Sequence, residues 1–405
     1  MVTAAPTKII RDNSNGVKPR ILIFSLAYEP LVGGAELAVK YITDHIFDFE
    51  FDLITCRFDR SHKFQEKIGN VNVYRVGFGS RLGRYLYPIY AYRLAAKLHR
   101  QNPYQLVWAI MAAYAGGAAV LFKRHFSEVK YLLTLQEGDP IEHIHKRVRG
   151  FRSFWQQSFT KADNIQAISN FLGDWAKTEG ATCPVAVVPN GVDLHNFQFS
   201  IHNFQPSSDG KIFKIITTSR LVPKNAVDVL IQAVHVIASE TKQSQKDRHG
   251  AEVPRDDVKI KLQVLGVGSE EKKLKQMVQD LGLQDIVEFH GIIQSGDLPK
   301  HLASADIFVR PSRSEGLGTA FLEAMAVGLP IIGTSVGGIP DFLDDLVTGL
   351  FCKVDDPKDL AEKIKTLIDD PELRKKLSAN GRKLVEEKYN WDKIALQMEE
   401  IFGKL

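Results

Sequence analysis

The chain has 405 residues, of which 44% are hydrophobic and 25% charged, with a formal net charge of +4. This length and composition predict two or three globular domains with apolar cores. No apolar segment approaches the roughly 20 residues of a membrane-spanning helix, and Met1–Lys18 lacks the hydrophobic stretch of a secretory signal. Cys56, Cys183 and Cys352 have neither metal nor redox spacing, which suits a reducing compartment. We therefore expect a cytoplasmic protein.

In the first half, apolar runs alternate with helical patterns after a start, residues 1–18, that we expect to be disordered. The first strand, Arg20–Leu26, leads through a loop with Gly33 and Gly34 to a helix over Leu37–Ile46. Further strands are predicted near 51–55, 71–76, 105–109, 130–135 and 163–168, and helices near 89–100, 113–125, 142–160 and 170–180. Strands separated by helices predict a doubly wound parallel sheet. The polar segment 194–211 is predicted to be a linker.

The second half repeats this pattern and predicts a second domain of the same kind. Strands are predicted over Ile212–Ser219, Lys259–Leu265, Ile286–His290 and Asp306–Val309, and helices over Val227–Ala238, Glu270–Leu281, Leu298–Ser304, Thr319–Ala326, Lys358–Ile368, Leu373–Tyr389 and 391–405. Residues 239–258 contain almost no apolar side chain, so we expect a disordered surface insertion there. The predicted fold class is α/β, with Rossmann-like domains over residues 1–200 and 201–385.

Residues 305–335 combine a strand, a glycine loop and a helix that carries a glutamate. Gly316 and Gly318 leave the turn unobstructed, and the free N–H groups of the helix start at Thr319 favour an anion such as phosphate. Glu315 in the loop and Glu323 in the helix can line one cleft at the carboxyl end of the strand. Carboxylates in that place suit sugar or ribose hydroxyls. The alternative is that both merely complement the helix dipole.

Two other motifs point to activities that the rest of the sequence does not support. Leu265-Gly-Val-Gly268 has the first two glycines of a dinucleotide fingerprint but lacks the third and the acidic partner, so NAD binding is not predicted. Gly333-Thr-Ser-Val-Gly337 fits the nucleophile elbow of hydrolases, which require a histidine after the serine. The last histidine of this chain is His301, so the hydrolase hypothesis fails.

Residues 315–338, EGLGTAFLEAMAVGLPIIGTSVGG, closely resemble the signature of retaining glycosyltransferases of family four (glycosyl transferases group 1). In that family two glutamates separated by seven residues flank the donor sugar and the nucleotide ribose. The resemblance extends to Arg220 upstream and to a Gly-Gly-Ile-Pro loop downstream, and it spans most of the chain. It implies the GT-B fold, in which two Rossmann-like domains face a cleft and a last helix, here 386–405, crosses back to the first domain.

The resemblance also implies roles for individual residues. Glu315 would hold the hydroxyls of the donor sugar and Glu323 the ribose, while Arg220 and Lys224 would neutralise the leaving diphosphate. Lys224 stands one position earlier than the commonest spacing, with Asn225 in its place. The other donor-side residues that it implies lie in three loops: Gly33 and Gly34; Ile292 and Ile293, against the nucleotide base; and Gly316, Leu317, Gly318 and Thr319.

The acceptor side departs from the family pattern. Family members often place a histidine after the strand that matches Tyr131–Leu135, whereas this chain has Gln136, followed by Asp139 and then His143. These three are the acceptor-side candidates. The metal-binding Asp-x-Asp of the other main glycosyltransferase fold is absent, so we expect no metal ion and no cofactor, with Lys, Arg and a helix dipole neutralising the leaving group instead.

The function implied is a retaining, metal-independent hexosyltransferase that uses a nucleoside diphosphate sugar and a hydroxyl acceptor, in cell-envelope glycan or glycolipid synthesis. The implied acceptor is a glycan, a lipid-linked sugar or a small molecule. Two alternatives remain open. One is a non-catalytic module of the same fold that binds a nucleotide sugar or a glycan, and the other is a phosphorylase or an epimerase.

The segment 75–161 carries fourteen basic and four acidic residues, with aromatic residues between them. A basic and aromatic face predicts attachment to an anionic membrane, here the inner face of the plasma membrane. The alternative is a solvated face whose aromatic residues belong to the core. Nucleic-acid binding is not predicted, because the chain has neither zinc-ligand spacing nor an RNA-binding aromatic motif.

Overall fold

The computed structural model describes residues 18–31, 33–198, 212–247, 259–294 and 296–405. They form two α/β domains, one on an eight-stranded and one on a six-stranded sheet. The expected disorder of residues 1–17 lies outside the described residues, as do 199–211 of the predicted linker and 248–258 of the predicted insertion. Within the described residues, no helix combines the length and the apolar content needed to cross a membrane.

The first domain has strands in the spatial order β3-β4-β2-β1-β5-β6-β7-β8. Its strands are β1 (Arg20–Phe24), β2 (Glu50–Cys56), β3 (Gln65–Ile68), β4 (Val71–Val76), β5 (Leu106–Ile110), β6 (Lys130–Leu135), β7 (Asn164–Ala167) and β8 (Val185–Val187). Its helices are α1 (Gly34–His45), α2 (Tyr87–Gln101), α3 (Tyr114–His125), α4 (Ile141–Val148), α5 (Arg152–Thr160), α6 (Asn170–Thr178) and α7 (Leu194–Gln198). Ile21–Phe24 of the central β1 are fully buried, because helices cover both faces of a parallel sheet.

The second domain has parallel strands in the order β11-β10-β9-β12-β13-β14. Its strands are β9 (Ile212–Thr218), β10 (Lys259–Leu265), β11 (Val287–Gly291), β12 (Ile307–Arg310), β13 (Ile331–Thr334) and β14 (Leu350–Cys352). Its helices are α8 (Val227–Asp247), α9 (Glu271–Asp280), α10 (Leu298–Ala303), α11 (Thr319–Ala326), α12 (Pro357–Asp369) and α13 (Pro371–Lys388), and a last helix, α14 (Trp391–Lys404), follows.

Four predictions of local structure were wrong. α8 continues to Asp247, nine residues into the predicted disordered insertion, and Glu240 near the beginning of that stretch pairs with Lys365 of α12 at 2.8 Å. The single helix predicted over 142–160 is broken into α4 and α5 by a 3-10 turn at Arg149–Phe151. The predicted linker begins with the short helix α7. The first sheet is also not wholly parallel, because β3 pairs with β4 in the antiparallel direction.

α14 leaves the second domain and packs on the first. The ring of Trp391 stacks on Tyr41 of α1 with centroids 5.1 Å apart, and the ring of Phe402 lies 5.1 Å from that of Trp108 in β5. Just before this helix, the N–H of Val192 donates to the carbonyl of Tyr389 at 2.7 Å. The last helix of the chain thereby completes the hydrophobic core of the first domain.

Candidate active site

The strand orders place the candidate site at the carboxyl edges of both sheets. In the first sheet the order reverses between β1 and β5, and in the second between β9 and β12. Ligands of doubly wound folds bind outside the carboxyl ends of the strands at such reversal points. The loops after β1, β6, β9 and β12 carry Gly33, Gln136, Arg220 and Glu315 respectively. The topology therefore brings the predicted donor and acceptor residues to one cleft.

Glu315 is held by an arginine at the end of β12. Its Oε2 lies 2.7 Å from Nη2 of Arg310, and both side chains are largely buried. The same Nη2 donates to Oδ1 of Asn225 at 2.9 Å, and Asn225 Nδ2 donates to the carbonyl of Arg220 at 2.6 Å. This chain of contacts fixes the direction of the Glu315 carboxylate relative to the loop after β9.

Arg310 was missed by the sequence analysis, which ended the strand at Val309. The buried run continues one residue further, with Arg310 only 8% exposed. A charged residue that closes the buried run of a central parallel strand is a signal that could have identified it, since buried charges require partners. Asn225, at the position where the family often has lysine, is buried as well and acts as a spacer between two arginines.

The loop of Glu315 depends on two glycines. Gly318, which precedes α11, has φ +98°, and Gly337 has φ +55°. A Cβ on Gly337 would lie 1.7 Å from the carbonyl oxygen of Glu315. The absence of a side chain at Gly337 thus allows its backbone to pass directly against the backbone of Glu315. Leu317 is buried between them.

Glu323 lies just over one turn inside α11 and is partly buried. Burial raises the pKa of its carboxyl to about 7, and the charge of Arg310 opposes that rise. Glu323 also raises the pKa of Tyr41 in the first domain, after the larger effects of burial and of Asp193. Glu323 therefore lies within electrostatic range of the first domain.

Lys224 crosses the cleft to the acceptor loop. Its Nζ donates to the carbonyl of Gly138 at 2.6 Å and lies 3.5 Å from Oδ1 of Asp139, which also pairs with Arg147 at 2.7 Å. Burial lowers the pKa of Lys224, while the charges of Glu315 and Asp139 oppose this. Burial raises the pKa of Asp139, but Lys224 and Arg147 bring it below the usual value.

The first glycine loop faces Arg220. Gly33 precedes α1, and a Cβ on it would lie 2.7 Å from Oε2 of Glu36, so this carboxylate folds back onto the loop. Burial raises the pKa of Glu36, the N–H groups of Glu36 and Gly33 lower it, and the charge of Arg220 lowers it as well. Gly34 has open space around it.

The remaining candidates occupy three separate places. Gln136 is buried, and its Oε1 accepts a hydrogen bond from Asn190 Nδ2 at 3.1 Å. His143 is exposed on α4, away from the loop of Gly138. Ile292 and Ile293 line a cavity of about 290 Å³ together with Gln294, Asp297, Lys300 and His301. Ile292 is highly exposed.

Metal-ligand side chains do not cluster in the described part of the chain, where no three His, Cys, Asp or Glu residues come together as an ion would require. The cations near Glu315 are instead Arg310 and Lys224. The expectation of metal-independent chemistry stays a prediction.

Two family models together match nearly the whole chain. The model described as Glycosyltransferase Family 4 matches residues 32–196, and that described as Glycosyl transferases group 1 matches residues 198–384. The chain belongs to glycosyltransferase family 4. It is therefore a transferase of glycosyl groups with the GT-B fold, and the prediction of family and fold is confirmed.

Relatives in this glycosyltransferase family cover most of the chain. An uncharacterized glycosyltransferase of Methanocaldococcus jannaschii is 26% identical over 95% of this chain and 98% of its own. A GDP-mannose-dependent monoacylated alpha-(1-6)-phosphatidylinositol monomannoside mannosyltransferase of Corynebacterium glutamicum is 27% identical over 76% of this chain and 78% of its own. HepE of Anabaena, solved in complex with UDP and glucose, superposes with a TM-score of 0.73 at 20% identity, over 96% of this chain and all of its own.

Proposed function

We propose that this glycosyltransferase moves a hexose from a nucleoside diphosphate sugar to a hydroxyl group of a glycan or glycolipid, with retention of configuration and without a metal ion. The observation that carries the proposal is the arrangement at the reversal point of the second sheet. There the Glu315–Arg310 pair, the Lys224 ammonium and the start of α11 line one cleft. A carboxylate beside cationic groups suits a ligand that has both hydroxyls and phosphates.

In this proposal the leaving diphosphate lies between Lys224, Arg220 and the free N–H groups of α11. Neutralising the charge that develops on a leaving phosphate is worth several kcal/mol when water is excluded. The side chain of Lys224 is only 14% exposed, so its charge is poorly screened. Lysine, arginine and the helix dipole then do what a divalent ion does in other transferases.

The carboxylates have separate roles. Glu315 accepts hydrogen bonds from the donor sugar, and its ion pair with Arg310 keeps it oriented. Glu323 accepts hydrogen bonds from the ribose. With Gln136 at the position of the family histidine, the leaving phosphate takes the proton of the acceptor hydroxyl. Attack from the face that the phosphate leaves retains the configuration of the sugar.

A thermal-shift panel of UDP-, GDP-, ADP- and TDP-sugars beside their bare nucleotides tests the proposal. The named substrate of one relative and the complex of HepE make GDP-mannose and UDP-glucose the first donors to try. A ligand at about 100 times its Kd adds roughly 2.7 kcal/mol of stability. We expect a shift with one nucleotide family and its loss in Arg220→Ala. No shift with any of the ligands would contradict the proposal and favour a binding module for other glycans.

We also propose that the basic segment 75–161 attaches the enzyme to an anionic membrane. The contact is centred on an exposed apolar ridge around the 3-10 turn Arg81–Tyr85 and the start of α2. Its exposed members are Phe78, Leu82, Tyr85, Leu86 and Ile89. The guanidinium of Arg84 lies over the ring of Tyr85 at 4.8 Å. Apolar side chains beside arginine match the acyl boundary and anionic headgroups of a bilayer.

The ridge adjoins the cleft. The ring of Tyr85 lies 6.4 Å from that of Tyr114 at the start of α3, and α3 follows β5, whose carboxyl end is in the cleft wall. A lipid-borne acceptor held at the ridge could thus extend its sugar toward the acceptor loop. This geometry supports a glycolipid acceptor.

Vesicle flotation tests the membrane contact. We expect binding to phosphatidylcholine vesicles that contain phosphatidylglycerol, weaker binding in high salt, and loss of binding in Leu82→Asp. Phe47→Asp is the matched control, because Phe47 is another exposed apolar residue of the first domain, outside the segment 75–161. Binding that ignores salt and lipid charge, or equal effects of the two variants, would contradict the contact.

A further inference from the structure

The loops after β5 and β6 are joined by a partly buried carboxylate that has no role in the proposed function. Glu137 Oε1 accepts a hydrogen bond from the N–H of Ala112 at 2.8 Å, and its Oε2 accepts one from the N–H of Gln136 at 3.0 Å. β5 and β6 are neighbours in the sheet, so both loops begin at the same edge of the cleft. A carboxylate that accepts from two backbone N–H groups is a strong, oriented link between them.

The turn that supplies the Ala112 N–H has a backbone that needs support. Met111 has φ +71°, in the left-handed region that disfavours residues with a Cβ. Its own N–H still donates to the carbonyl of Thr134 in β6 at 2.8 Å, and the carbonyl of Ala112 accepts from Ser158 Oγ at 3.0 Å. The Glu137 carboxylate accepts the hydrogen bond from the next N–H, that of Ala112, and so holds this turn against the loop after β6.

The main chain at Glu137 and Gly138 in turn contacts the donor side. The Gly138 carbonyl accepts hydrogen bonds from Lys224 Nζ at 2.6 Å and from Ser314 Oγ at 3.3 Å. A Cβ on Gly316 would lie 2.6 Å from the carbonyl oxygen of Glu137, so the two backbones run directly against each other. The position of this loop therefore sets the position of the Lys224 ammonium beside Glu315.

Burial, backbone N–H groups and a neighbouring charge all act on the carboxyl of Glu137. Burial raises the pKa of its carboxyl to about 7; the N–H groups of Ala112, Glu137 and Gln136 lower it, and the charge of Asp139 raises it. Across the cleft stand Lys224 and Glu315, both near Gly138. A buried acid of this kind is costly to a fold, which is typical of groups kept for a task other than stability.

We propose that Glu137 is a positioning residue for glycosyl transfer, whose carboxylate fixes the main chain at Gly138 and, through it, the Lys224 ammonium that meets the donor diphosphate. The inference rests on the proposed function, since that function assigns the diphosphate to Lys224. Glu137 follows Gln136, the residue that replaces the family histidine, and the motif itself assigns it no role.

Glu137→Gln tests the proposal, because the amide keeps the shape but turns an NH2 group toward one of the two N–H donors. Release of GDP from GDP-mannose or of UDP from UDP-glucose is measured, together with the Kd of bare GDP and UDP. We expect the rate of release to fall about 10- to 100-fold, the range for a reacting group misplaced by about 1 Å. The Kd of bare GDP or UDP should rise by less than the rate of release falls, because Arg220 and the start of α11 still bind the diphosphate.

Asp163→Asn is the matched control. Asp163 Oδ2 accepts from the N–H of Tyr131 at 2.8 Å and pairs with Lys123, so this carboxylate holds the opposite end of the same strand. We expect Asp163→Asn to lower Tm while it leaves the rate within about twofold. Should Glu137→Gln not fold, Glu137→Asp withdraws the carboxylate by one methylene and is expected to show the same loss of rate.

Two outcomes separate this inference from the proposed function. An active wild type in which Glu137→Gln slows release no more than Asp163→Asn overturns the positioning role alone. A wild type that neither binds nor turns over any nucleotide sugar overturns the proposed function and this role with it.

Discussion

At the scale of single residues, Glu315 and Glu323 differ in what surrounds each carboxyl. Glu315 has the Arg310 guanidinium at 2.7 Å, whereas burial raises the pKa of Glu323 to about 7. Burial of a carboxyl away from water disfavours its charged form. The two glutamates of one motif are thus suited to different tasks, and they give separate predictions.

Glu315→Gln should reduce turnover about 100- to 1000-fold, the range for losing one charge-stabilising contact in a transition state. The amide keeps the shape, so binding of bare GDP or UDP should be nearly unchanged. Steady-state rates and nucleotide Kd values check this. Glu288→Gln, on an exposed pair with Lys261, is the control that should leave both quantities unaltered. An active Glu315→Gln enzyme would remove the glutamate from the mechanism.

Glu323 should make stability depend on pH. Its pKa is raised on folding, so the folded state holds the proton more tightly, and the carboxyl favours folding at low pH and loses this effect as the pH rises through about 7. Glu323→Gln removes that dependence. The free energy of unfolding of the variant relative to wild type should therefore increase by about 2 kcal/mol from pH 5.5 to pH 8, as measured by urea titration. An equal difference at both pH values would contradict the prediction.

At the residue scale, the sequence indicates the place of residues that one motif carries. The spacing of Glu315 and Glu323 predicts that both reach one cleft, and the structure places them on the loop and first turns of α11. The charge of Arg310 at the end of a buried strand could have marked it, but its partner Asn225 lies 85 residues away, and the Ala112 N–H that contacts Glu137 lies 25 residues away. Contacts between distant loops arise from strand order, which local spacing does not encode.

At the scale of elements, the alternation of strands and helices was predictable because central strands are continuous apolar runs. β3 was not predicted, since its sequence QEKI has no apolar face and forms a strand only because β4 offers an edge. The break between α4 and α5 was missed as well, although Gly150 marks it. The end of α8 was assigned to disorder because its sequence has few apolar residues, but low hydrophobicity excludes only a core and does not exclude a helix.

The loop of Glu315 gives a prediction about backbone contact. Gly337→Ala should cost more than the roughly 1 kcal/mol of a left-handed alanine, because the new Cβ would meet the Glu315 carbonyl at 1.7 Å. Turnover should fall together with stability. Gly282→Ala is the control, with φ +65° and nothing within 4 Å. Urea unfolding and rate measurements compare the two, and equal stability losses would show that the close contact is relieved without cost.

At the scale of the whole molecule, α14 joins the domains through the core of the first. Trp391→Ala should lower the free energy of unfolding by about 3–5 kcal/mol, as for other buried tryptophans, because Trp391 stacks on Tyr41 and also packs on Gly191. Leu396 on the same helix is largely exposed. Leu396→Ala should therefore change the free energy of unfolding by less than about 0.5 kcal/mol. Chemical denaturation measures both, and similar values would mean that the packing contributes little.

Two segments near the domain boundary, one before each crossing of the chain, lie side by side. Val192, near the end of the first domain, forms a parallel bridge with Asn390, just before α14. Domains that are joined at adjacent points are expected to rotate about one hinge axis at those points. Because α14 packs on the first domain, it would move with that domain although it is last in the chain. The hydrogen bond from Lys224 to the Gly138 carbonyl also joins the domains, and we expect it to keep the donor and acceptor loops together while the donor is bound.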